Sequence, residues 1–77
     1  MTSTPNRLAI QRDIADEFEA WIDNYSLAAV LDALALVCSE KADHVLANWQ
    51  DKKRADAWEL CAGAIINANF KAEEAGL

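Results

Sequence analysis

The chain has 77 residues, is 53% hydrophobic and 26% charged, and carries 13 Asp and Glu against 7 Lys and Arg for a formal charge of -6. That composition is too apolar for intrinsic disorder and the length fits one small domain, residues 1–77. The acidic balance argues against nucleic acid as a direct ligand, since attraction to phosphate supplies most of that affinity, and favours a protein partner with a basic surface.

Sixteen alanines, two glycines and one proline leave little to interrupt helix, and alanine is the strongest helix former. The first predicted helix runs from about residue 5 to 23, with Thr4 as its cap and Pro5 at the first helical position, where a missing amide donor is harmless. Ile10, Ile14, Phe18, Trp21, Ile22 and Tyr25 recur at steps of three and four, which predicts one buried stripe. Asp13, Asp16, Glu19 and Asp23 cluster on the opposite side and make an acidic face.

Asp23-Asn24-Tyr25-Ser26 holds turn-forming residues, and Ser26 is the expected cap of a second helix over about 27–48. Its predicted stripe is Leu27, Val30, Leu31, Leu34, Cys38, Val45 and Trp49. Asp51 can cap a third helix over about 52–72, with the stripe Trp58, Cys61, Ala62, Ile65, Asn69 and Ala72 flanked by Ile66, and a tail at 73–77 follows. Short connections favour antiparallel neighbours, so the expected fold is all-α, an up-down-up three-helix bundle.

The longest nearly apolar run, Leu27 to Cys38, is broken by Asp32 and falls well short of the roughly 20 residues that cross a bilayer, so no membrane association is expected. The opening Met-Thr-Ser-Thr-Pro has neither the basic start nor the apolar core of a secretion signal, which predicts a cytoplasmic protein. Cys38 and Cys61 would then stay reduced and pack as small hydrophobes on two different helices.

Three helices of this length are close to the limit at which one core suffices. Leu36 lies on the polar side of helix two beside Ala29 and Ala33, and Leu60 lies opposite Trp58 with Ala57 and Ala64. These second apolar stripes make Leu36 and Leu60 candidates for self-association, and dimerisation could complete the bundle. Lys41 projects from the apolar arc of helix two, with Asn48 along the same row and His44 at its border. An unpaired buried ammonium is costly, so Lys41 must meet a carboxylate, water at the bundle edge or an open groove. It either fixes helix register through a salt bridge or forms a polar pocket with His44, Asn48 and a carboxylate from another helix.

Catalytic chemistry has no visible seat. One histidine cannot supply a carboxylate-bridged metal site, and Cys38, Cys61 and His44 lack a fourth zinc ligand, so no metal or other cofactor is expected. The six-residue step from Cys38 to His44 points thiol and imidazole apart, and no phosphate loop, serine elbow or dinucleotide fingerprint is present. The basic triplet Lys52-Lys53-Arg54 opens helix three against the helix dipole and calls for compensation by Asp51, Asp56, solvent or an acidic partner.

The segment Cys38-Ser-Glu-Lys-Ala-Asp-His44, followed by Asn48-Trp-Gln-Asp51, resembles small all-helical proteins of bacteria and their phages to which no activity is attached. The resemblance implies an accessory protein of a bacterium or mobile element, with Lys41 and Asp51 pairing near the corner between helices two and three. The expectation is a non-enzymatic interaction module, a homo-oligomer that binds a protein through Trp49 and Gln50 at the corner, the row Lys41, His44, Asn48 and Asp51, and the acidic face of helix one. The alternative is a phage-type inhibitor of a host defence complex that uses Asp13, Asp16, Glu19 and Asp23 as phosphate surrogates in a nucleic-acid groove. Steep weakening of binding with salt would mark the second.

Overall fold

The computed structural model describes residues 3–77, with side chains from Arg7 onward. It consists of α1 (Ser3–Asn24), α2 (Leu27–Trp49) and α3 (Lys52–Glu74), and no strand occurs among the described residues. The all-α, three-helix fold is therefore the one the sequence predicts, with each helix ending within two residues of its expected limits. α1 begins at Ser3, so Thr4 and Pro5 lie within its first turn rather than at the expected cap and first helical position.

The breaks between helices have local chemical causes. Ser26 Oγ accepts the Ala29 N–H at 3.0 Å and caps α2, while Asp51 Oδ1 accepts the Arg54 N–H at 3.0 Å and caps α3. Between α2 and α3, Gln50 takes a left-handed backbone conformation at φ 52° and donates its N–H to the Leu46 carbonyl at 3.0 Å. At the end of α3, Gly76 at φ 76° lets the Leu77 N–H reach the Ala72 carbonyl at 2.8 Å and the Gly76 N–H reach that of Glu73 at 3.1 Å, a Schellman termination. The Leu77 carbonyl oxygen then accepts the Leu27 N–H at 2.8 Å, so the expected tail is tied to the first turn of α2.

The two-residue link Gln50-Asp51 folds α2 and α3 into an antiparallel hairpin, and these two helices pack extensively. Their seam is built on small residues. Ala35, Cys38 and Ala42 of α2 and Ala55, Ala62, Asn69 and Ala72 of α3 are the buried residues. Ala35 and Ala42 on α2 and Ala55, Ala62 and Asn69 on α3 repeat at steps of seven, and a second row with the same step holds Cys38 with half-buried Leu31 and Val45 on α2, and Ala72 with half-buried Trp58 and Ile65 on α3. Small side chains at every seventh position let the two backbones approach closely, which is why no large side chain is fully buried. Asn69, only 8% exposed, keeps its Oδ1 without a hydrogen-bond partner inside this seam.

The refinement concerns α1, which contacts α2 but not α3 among the described residues. The Cα atoms extend 41 × 38 × 16 Å. Helices of 22 or 23 residues are only about 33–35 Å long, so two dimensions near 40 Å require α1 to splay away from the hairpin axis. The radius of gyration, 15.0 Å, exceeds the value of about 11.5 Å expected for a compact chain of this length. In consequence the stripe expected to be buried is open: Ile10, Ile14, Phe18, Trp21, Ile22 and Tyr25 are all exposed, from 36% at Phe18 to 73% at Tyr25. Periodicity located the apolar face of α1 correctly, but no neighbouring helix covers it.

Smaller corrections follow from the hairpin seam. Leu34, expected inside, is exposed because α3 meets α2 on the row Leu31, Ala35, Cys38, Ala42 and Val45 instead, and Trp49, one heptad beyond Ala42, is exposed because α2 ends there. Cys61 is exposed while Cys38 is buried, and both thiols are free. Cys61 therefore does not serve as the packing residue that its place beside Ala62 implied.

Candidate interaction surfaces

Four surfaces are formed by the residues the sequence singles out and by their neighbours. Along α1, Asp13, Asp16, Glu19 and Asp23 are all exposed, and only Asp16 has an ion-pair partner, Arg12 one turn earlier at 3.1 Å. The row projects into solvent as an acidic edge with Arg12 set within it. Leu36 and Leu60 are accessible as expected, Leu60 at 79%, but lie on separate helices.

The polar row on α2 is dispersed rather than gathered. Asn48 Nδ2 lies 3.0 Å from His44 Nδ1 and donates to the His44 carbonyl at 3.0 Å, an interaction within one turn of helix. Lys41 is exposed and forms no ion pair among the described residues. Asp51, its proposed mate, caps α3 with Oδ1, which corrects the expected Lys41–Asp51 pair. Trp49 and Gln50 stand at the hairpin corner, both exposed. In the basic triplet Lys52 Nζ lies 3.3 Å from Asp56 Oδ2, while Lys53 and Arg54 form no ion pair among the described residues.

Lys41 and His44 do share a recess, of about 450 Å³, but its far wall is Arg54, Trp58 and Cys61 on α3. No carboxylate lines it, so the acidic group expected from another helix is replaced by a second cation. On a chain of charge -6 this recess is a local concentration of positive charge resting on an indole. Sequence reasoning missed it because Arg54 and Trp58 face Lys41 only once the hairpin register is known.

An apolar groove lies in the angle between α1 and α2. Phe18 and Trp21 on α1, with Tyr25 just beyond its end, face Val30, Leu34 and Val37 on α2 across this groove of about 480 Å³. Phe18 and Trp21 stack obliquely at its mouth, with ring centroids 5.4 Å apart. A second recess of about 480 Å³ continues along α1 past Phe18 to Ile14, Ile10 and Arg7. Together they make a largely apolar face from Ile10 to Trp21 along α1. Ala29 and Ala33, flanking the groove, are small enough to leave it open.

Among the described residues no three His, Cys, Asp or Glu side chains converge as metal ligands, and no helix is long and apolar enough to cross a membrane. No family model matches the chain, and no curated protein or solved structure is significantly similar to it.

Proposed function

We propose that this chain is a non-enzymatic interaction module that works in the cytoplasm by binding protein, including further copies of itself. One observation carries the reading: Ile10, Ile14, Phe18, Trp21, Ile22 and Tyr25, the apolar stripe of α1, stay 36–73% exposed although α1 contacts α2. Contiguous exposed apolar surface of this kind marks a place where another macromolecule is bound. Two free thiols suit a reducing compartment. The acidic balance of the whole chain favours a partner with a basic surface.

The test is photo-crosslinking of the full chain in its native cells, with a photoreactive residue at Phe18 and, as control, at solvent-facing Glu59. Covalent protein adducts confined to position 18, whether with a second copy or a different protein, are the expected result. No adduct, or adducts equal at both positions, overturns the reading.

A second reading is favoured by the uninterrupted exposure of Asp13, Asp16, Glu19 and Asp23: that this edge imitates a nucleic-acid backbone and blocks a basic groove on a defence complex. Exposed charge pairs are screened within about 10 Å at 0.1 M salt. Affinity for a basic protein that holds constant from low to high salt would rule out the mimic.

A further inference from the structure

We infer that two copies of the chain exchange their first helices: each α1 lies in the open angle of the other copy, its apolar stripe covering the partner's Val30, Leu34 and Val37 and running on toward Ala57 and Cys61. The inference rests on reading the α1 face as a binding face, and it commits that face to a second copy of this chain.

Area supplies the first argument. The chain exposes 6192 Å², whereas a compact folded monomer of 8.5 kDa exposes about 4,650 Å². The excess, about 1,500 Å² per chain, gives about 3,000 Å² when two copies cover it reciprocally, inside the range of about 2,000–5,000 Å² typical of obligate homodimers. A typical transient contact, at about 800 Å² per partner, would leave nearly half of the excess uncovered.

Shape names the occupant. α1 has 22 residues and the hairpin helices 23 each, so α1 matches the full length of the hairpin face. Leu34, Val37 and Lys41 stand in one row on α2, which leads from the apolar groove into the recess of Lys41, His44 and Arg54. α1 carries five carboxylates against two arginines. With the apolar stripe laid on that row, Asp13, Asp16, Glu19 and Asp23 face away from the hairpin, so apolar burial and not charge seats the helix. Two-fold symmetry makes the contact self-complementary, and an exchanged element is a low-cost route to a dimer because the contacts are those that a closed bundle would make within one chain.

Cys61 makes the arrangement testable, because it is a free, exposed thiol on the proposed seat of the partner's α1. The full chain is compared with Ile10→Cys, Ile14→Cys and Phe18→Cys, each with and without Cys61→Ser, by sedimentation and by non-reducing gel after mild oxidation. The proposal expects wild type to sediment as a dimer and at least one α1 cysteine to give a covalent dimer that disappears with Cys61→Ser. A dimer with no link to Cys61 from any of the three positions overturns the exchange and points to another face, such as that of Leu36 or Leu60. A link formed within one chain overturns it in favour of α1 closing on its own hairpin. A wild-type monomer at the highest concentration reached overturns the dimer itself, while Phe18 adducts with a different protein would still leave the interaction-module reading standing.

Discussion

Gly63 stands in the middle of α3 with nothing within 4 Å of where a Cβ would be placed, so the helix there carries glycine's entropic penalty without using its freedom. Gly63→Ala is expected to raise stability by about 0.5–1 kcal/mol, read as a higher urea midpoint at fixed protein concentration. Gly76 is the opposite case. Its φ of 76° is a conformation an L side chain rarely adopts, and Gly76→Ala is expected to lower stability by about 1 kcal/mol even though space is open around it. Asp51→Ala removes the acceptor for the Arg54 N–H and is expected to destabilise by about 1 kcal/mol. Features at this scale were legible in the sequence wherever a residue acts on its own neighbours. Ser26 and Asp51 cap the helices they precede because a cap depends on three residues of chain. Lys41 was not legible, because whether it meets Asp51 or Arg54 depends on hairpin register and on what Asp51 is already bonded to.

Between elements the decisive quantity is the size of the side chains in the α2–α3 seam. Ala35 and Ala42 on one helix and Ala55 and Ala62 on the other are at most 5% exposed, and the hairpin is close-packed because these residues are small. Ala62→Leu forces three more carbons and their hydrogens into that seam and is expected to destabilise by about 1–3 kcal/mol, whereas Ala64→Leu, on the exposed flank of the same helix, should change stability little. Equal effects of the two in chemical denaturation would show that the seam is not where the hairpin is held. The heptad of alanines was present in the sequence, but large residues dominate any search for an apolar stripe. Leu31, Cys38 and Val45 were therefore found, while Leu34 stood in for Ala35 and Ala42 was passed over. For α1 the stripe was read correctly and its fate was not. Periodicity reports which face is apolar, and only the angle at Tyr25-Ser26 decides what can cover it.

For the whole molecule, an alanine seam and a splayed first helix have one shared consequence. The hairpin buries small side chains, so most of the apolar surface available for stabilisation lies on α1 and in the groove beside it. Helices of this length are marginal in water without tertiary packing, which makes the order of α1 depend on whatever covers its stripe. Fold class and helix limits were legible because they follow from local periodicity and capping. The open angle was not, because it reflects contacts that α1 does not make with α3. The most direct measurement is thermal unfolding by circular dichroism over a wide range of protein concentration. Coupling of folding to association predicts a midpoint that rises steadily with concentration, with helix content falling on dilution as α1 loses its cover. A midpoint and helix content that stay constant across that range would contradict the account and show that the chain holds α1 in place alone.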